Sequence, residues 1–292
     1  MRYSRRQTLR VGFSYALCLS NPLRGYAAQD PLVFKSDAAS IALALLQGAI
    51  RYVDGTPMLS AMGEVDIGDV KTWTRDALAE LEAFAPEETR GQLFPLVMDN
   101  LAADLGDVIN KLRWYASLTD QTNEGSKNLL YGSDKSTGSL ILLASYYDQA
   151  IFICAAAMAL RLFTIYALYK SDNNGEHILS RRVEIDDFVT KTSAMRDRIS
   201  RQMKPETRLW VYYNETRPRC DVFKDDGFVR RFSAVNGNCY HKEVADFYAS
   251  LATPMQSATN DFLRRANDAI HLAATCYNEM CRKVGGNYSM PG

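Results

Sequence analysis

The chain has 292 residues, 47% hydrophobic and 23% charged, which excludes a disordered protein and leaves room for a substantial core. Its 34 basic and 34 acidic side chains balance, but five of the arginines and none of the acids fall within residues 1–28. The remainder is mildly acidic, about five charges below neutral, with no basic stripe, which argues against nucleic acid as a partner.

Ser4-Arg5-Arg6-Gln7-Thr8-Leu9-Arg10 resembles a twin-arginine export motif, with Thr8 where that motif commonly carries phenylalanine. The apolar run Val11 to Ser20 is too short to span a bilayer, and Ala27-Ala28 offers a cleavage point. Residues 1–28 are therefore expected to be an export signal peptide, and 29–292 a single mainly helical domain outside the cytoplasm, periplasmic or extracellular.

In chain order, Asp37 to Val53 reads as a helix capped by Ser36 or Asp37 and ended by Asp54-Gly55-Thr56-Pro57. A second helix is predicted over Ile67 to Phe84, where apolar residues recur at three- and four-residue spacing. Pro86-Glu87-Glu88 suits a helix start, opening a segment through Leu101, Leu105, Val108 and Leu112 to Tyr115. Thr119 to Gly138 is polar, holds three glycines and reads as a long loop. Ser139 to Tyr169 reads as one long apolar helix with only two formal charges, Asp148 and Arg161. Ile185 to Met203 is amphipathic and highly charged. Leu209 to Val235 turns strand-like around Asp225-Asp226-Gly227 and predicts a small hairpin. His241 to Val284 is helical again, divided or bent at Pro254. The sum is an all-α, multi-helix bundle around a central hydrophobic helix, with a β-hairpin near residues 209–235.

Cys18 lies in the export segment, so five cysteines remain. In an oxidising compartment the economical expectation is two disulfides among Cys220, Cys239, Cys276 and Cys281, with Cys154 a buried free thiol. Of the three connectivities, Cys220–Cys239 with Cys276–Cys281 is the most local. The spacings match no zinc finger.

A helix apolar all round must be covered by other helices or by lipid. Asp148 and Arg161 divide the run into pieces below the usual span, so burial among amphipathic neighbours is the expected state. Each of the two charges then needs a partner on a surrounding helix or access to solvent.

Leu142-Leu143-Ala144-Ser145-Tyr146-Tyr147-Asp148-Gln149-Ala150 is similar to the approach to the central helix in the helical domain of insecticidal Cry δ-endotoxins. Tyr147, Gln149 and Ala150 carry the likeness, and Trp210 with Tyr213-Asn214 resembles a later step in that domain more loosely. The resemblance implies a bundle that inserts into membranes and forms pores. The chain is too short for that family's two β domains and lacks a counterpart of its stretch after the last bundle helix.

No dinucleotide fingerprint, P-loop, G-x-S-x-G or H-E-x-x-H motif is present, so no catalytic, cofactor or metal residues are assigned and no enzyme is expected. Asp172-Asn173-Asn174-Gly175-Glu176 lacks the acidic twelfth position of a calcium loop, which is Val183 here, and reads as a solvated turn. Asp186-Asp187 fits a helix start, His241 a helix N-terminus and His271 an ordinary helix position. The expected function is a secreted toxin-like bundle acting on membrane lipid or a cell-surface receptor. The alternatives are a periplasmic binding module with an aromatic face around Trp210, Tyr212 and Tyr213, and an enzyme whose carboxylates meet from separate helices.

Overall fold

The structure, a computed structural model, describes residues 37–63, 93–146, 148–225 and 227–290. The expected export segment, the predicted 67–84 helix, the Pro86-Glu87-Glu88 start and Tyr147 lie outside the described residues. In order, the elements are α1 (Asp37–Val53), α2 (Met58–Met62), α3 (Leu93–Ser117), α4 (Glu124–Ala144), α5 (Ile151–Asp172), α6 (Glu176–Leu179), α7 (Arg182–Met203), α8 (Pro205–Arg208), β1 (Leu209–Asn214), β2 (Arg219–Lys224), β3 (Gly227–Ser233) and α9 (Lys242–Lys283). They form two compact units, Val33–Ile199 with Phe262–Gly292, and Ser200–Asp261.

The larger unit is built around α5, whose side chains from Ile151 to Leu168 are all buried. Such a helix has no polar face to give to water, so its neighbours must cover it on every side. α1, α3 and α4 pack along it, α7 reaches it at Arg161 through Glu184, and α9 through the edge-on pair Phe152–Phe262. Each neighbour supplies an apolar stripe at helical spacing, such as Ala42, Leu45, Ala49 and Tyr52 on α1 and Leu101, Leu105, Val108 and Leu112 on α3. Each fully buried large apolar side chain contributes about 1.5–3 kcal/mol. Tyr52 stacks on Phe163 with centroids 5.6 Å apart, and the Tyr166 hydroxyl donates to the Val53 carbonyl at 3.2 Å. Gly48 is required here, because a Cβ would sit 2.2 Å from the Ala61 carbonyl oxygen of α2.

The mostly helical bundle with a small sheet is as expected, but three segments differ from the sequence reading. The first is the expected loop 119–138, which is mostly α4. Asn123 caps it by accepting from the Ser126 N–H, and its buried stripe is Ser126, Leu130, Ser133, Thr137, Leu140 and Ala144. The spacing is helical, but hydroxyl residues fill half the stripe and hide it from an apolar count. Secondly, the predicted 31-residue helix is two helices. Ser139 to Ala144 finish α4, the chain turns, Asp148–Ala150 form a 3-10 turn, and α5 begins at Ile151. α4 and α5 then run antiparallel, with residue 141 near 154 and 138 near 161. Thirdly, of the two effects expected at Pro254, division is absent: α9 continues through it and is 42 residues long in all.

The smaller unit holds an antiparallel sheet in the order β1-β2-β3, one strand more than a hairpin. Cys220 and Val222 on one face pack with Val244, Phe247 and Leu251 of α9. Cys220–Cys239 is a disulfide, as expected. The expected second bridge is absent: Cys276 and Cys281 are buried free thiols, like Cys154. Both lie on α9, where five residues turn the helix by about 140° and carry the two side chains to opposite sides.

Candidate functional site

The α4–α5 hairpin gathers the unusual features of the larger unit. Arg161 sits halfway along α5 among apolar side chains and is 6% exposed. Its Nε and Nη2 donate to Glu184 Oε2 of α7 at 2.8 and 2.6 Å. Its Nη1 donates to the Asp134 carbonyl at 2.5 Å and to Thr137 Oγ1 at 3.3 Å, both on α4, and lies 3.4 Å from Asp134 Oδ1. Arg181 completes a ring, donating to Glu184 Oε1 and Asp134 Oδ2, each at 2.9 Å. Burial disfavours the Arg181 charge, but Asp134 and Glu184 outweigh it and raise its pKa.

Gly138 makes room for this ring, since a Cβ there would lie 2.8 Å from Arg161 Nη1. The arrangement is costly, with Ser133 Oγ and Arg181 Nε buried and lacking hydrogen-bond partners. Its effect is directional: one guanidinium on α5 ties that helix to α4 and α7 together. Carboxylates from separate helices do meet here, as the enzyme alternative requires. Each is taken up by two guanidinium groups, an arrangement that neutralises charge and presents no acid–base pair.

Asp148 is not on the apolar helix at all. It lies in the 3-10 turn and accepts a two-pronged contact from Arg198 of α7, at 2.6–2.9 Å. Both charges thus find partners on surrounding helices, as the cost of an unpaired buried charge demands. Gln149 and Ala150 of the toxin-like motif occupy the same turn, and buried Ala150 leads into α5. On the other side of the bend Leu142, Leu143 and Tyr146 are exposed by 50, 46 and 73%. Three large apolar residues at one helix-hairpin tip form a patch rather than scattered exposure.

Burial pushes the Cys154 thiol up to about 12, against a weaker opposing hydrogen bond involving Thr192, so it is inert as a nucleophile. The 172–176 segment is a capped turn. Asp172 accepts from the Asn174 N–H and from His177, Asn174 accepts from the Glu176 N–H, and Asn173 adopts a left-handed conformation. Asp187 pairs with Lys191, and Asp186 accepts from the Tyr288 hydroxyl. His241 contacts the Ser233 carbonyl just before α9 and His271 is an exposed helix residue. Among the described residues no cluster of histidine, cysteine and carboxylate side chains could hold a metal ion.

In the smaller unit the register separates the expected aromatic trio. Trp210 and Tyr212 stand on one face of the sheet, while Tyr213 packs into the core on the other, because successive strand residues alternate. Trp210, Phe223 and Phe228 form a row across the three strands, with centroids 5.8 and 6.0 Å apart. Tyr212, Asp221 and Arg231 form the next row, and buried Asp221 is held by Arg231 at 2.7 Å and Arg219 at 3.2 Å.

Comparison with known proteins found no matching family model, no matching curated protein and no matching solved structure.

Proposed function

We propose that this chain is an exported, non-catalytic helical bundle that acts on membranes by releasing α5, with the exposed 142–146 tip making first contact with lipid. The observation that carries the reading is α5 itself: 22 residues, about 33 Å long, buried on all sides from Ile151 to Leu168, with one charge, Arg161, inside that stretch and Lys170 and Asp172 at its end. That length matches the hydrocarbon core of a bilayer. With Asp148 outside the helix, one of the two objections to a membrane span falls away. The other, Arg161, costs about 3 kcal/mol at a bilayer centre, small enough for snorkelling and apolar burial to offset. In the folded bundle the same residue works as a latch, because its carboxylate partners hold α5 against α4 and α7. Export rests on the Arg5-Arg6 motif, and the toxin-like character on the 142–150 resemblance.

Dye release from liposomes tests the reading, comparing the native protein with a form whose α5 is cross-linked to α1. Release by the native protein and not by the cross-linked one is expected. No release across a broad range of pH and lipid charge would refute membrane activity. Equal release by both forms would refute α5 as the agent.

A further inference from the structure

The sheet of the smaller unit ends in β3, which differs from the other two strands. It runs seven residues, Gly-Phe-Val-Arg-Arg-Phe-Ser, and every one but Phe232 is exposed. With strand order β1-β2-β3, one whole side of β3 has no strand against it among the described residues. Backbone N–H and C=O groups along such an edge are a template for a further strand.

The side chains decide which strand. Arg230 lies over the core face, its guanidinium 5.1 Å from the Phe232 ring and 5.2 Å from the Phe247 ring. Arg231 lies on the opposite face, bonded to Asp221 and 5.3 Å from the Phe228 ring. Asp221 is shared with Arg219 of the neighbouring row, so the two rows together keep a net positive charge, and β3 itself has no acid. Phe228 and Val229 add exposed apolar area at the start of the strand.

This pattern disfavours a second copy of the chain in the registers that bring its arginines together. Antiparallel self-pairing about Arg230 sets Arg230 against Arg230, and the face-preserving slip of two residues that centres it on Arg231 sets Arg231 against Arg231. Parallel in-register pairing stacks each arginine on its twin. Like charges directly opposite one another destabilise a strand pair. Blunting the edge against aggregation would account for charge alone, and the β2–β3 irregularity near Val222/Phe223 would serve it too. Arginines braced on aromatic rings do more, since a pre-oriented guanidinium suits carboxylates.

We infer that the free edge of β3 binds an extended acidic segment of another protein by strand addition. In the complex, Asp or Glu side chains lie beside Arg230 on one face, and apolar side chains lie beside Phe228 on the other.

The test uses the whole chain and fluorescein-labelled probe peptides, read by fluorescence anisotropy. (Glu-Val)4 is expected to bind, more weakly as salt rises, and (Lys-Val)4 not to bind. Two further versions of (Glu-Val)4 carry N-methyl groups on all glutamate amides or on all valine amides. One of them should lose at least about tenfold in affinity, because only alternate amides of an added strand face the sheet. Arg230→Glu should weaken (Glu-Val)4 by about tenfold, as cross-strand charge pairs allow. No binding of (Glu-Val)4 at millimolar peptide overturns the proposal, as does equal binding of (Lys-Val)4. So does undiminished binding of both methylated forms, which would mean charge attraction without strand addition. A dimer in sedimentation that Val229→Pro abolishes would assign the edge to a second copy and overturn it as well.

Discussion

Gly132 and Gly138 lie on the same helix, six residues apart, and the structure assigns alanine opposite effects at the two positions. At Gly132 an added Cβ meets nothing within 4 Å, so Gly132→Ala should stabilise by about 1 kcal/mol through the lower entropy of the unfolded chain. At Gly138 the same methyl meets Arg161 Nη1 at 2.8 Å and Cζ at 3.4 Å. The guanidinium cannot simply swing aside, because Asp134, Thr137 and Glu184 hold it from two helices. Moving it surrenders the Nη1 bonds, and a charge-assisted hydrogen bond is worth about 1.5–3 kcal/mol. Subtracting the helix-propensity gain leaves Gly138→Ala destabilising by about 1 kcal/mol. Arg161→Met removes the obstacle, so in that background Gly138→Ala should become stabilising, a coupling of about 2 kcal/mol between the sites. Urea unfolding followed by circular dichroism measures all four forms of the cycle, with unchanged slopes as the control. If Gly138→Ala stabilises as much as Gly132→Ala, or if its effect is the same with and without Arg161, the latch is not built as described.

The buried thiols make stability fall at alkaline pH. Burial raises Cys154 to about 12 and Cys276 well above its ordinary value near 9, so the folded state keeps protons that the unfolded state releases. Their contribution is complete below pH 9 and is lost as pH rises toward the folded values, by up to about 1.4 kcal/mol per pH unit for each thiol. Urea midpoints that stay level between pH 8 and 10.5 would contradict this. A thiol count on residues 29–292, unfolded without reductant, should give three, from Cys154, Cys276 and Cys281, and none should react rapidly in the native state. A count of one would restore the second bridge. Replacing Cys220 and Cys239 by alanine should cost about 3 kcal/mol for a cross-link between positions 19 residues apart. Hydrogen exchange should show lost protection in β1–β2 while α5 stays protected, and parallel loss in α5 would refute a local effect.

Local pattern was enough for the elements that carry their own signal. α1 begins and ends where its apolar spacing and the Asp54-Gly55 turn place it, and α7 and the Cys220–Cys239 sheet lie where expected. The need of Asp148 and Arg161 for partners also followed from the sequence, because the cost of burying a lone charge does not depend on the fold. The identity of those partners did not, since Glu184 and Arg198 are 23 and 50 residues away along the chain. Nor did the helix in the glycine-rich 119–138 stretch. Ser133 and Thr137 become core residues only because α5 and Arg161 lie against them, which no local count of apolar side chains records. The apolar run from 139 onward gave no sign of the bend between Ala144 and Ile151, since Leu142, Leu143 and Tyr146 are apolar yet exposed beside it and join the buried run of α5 with no break in hydropathy. The face taken by Tyr213 was settled by strand register, and the fate of Cys276 and Cys281 by a helix that keeps their side chains apart. What the sequence determined was each segment's local preference and its demand for burial or charge pairing; which segments met those demands was decided only when the helices packed.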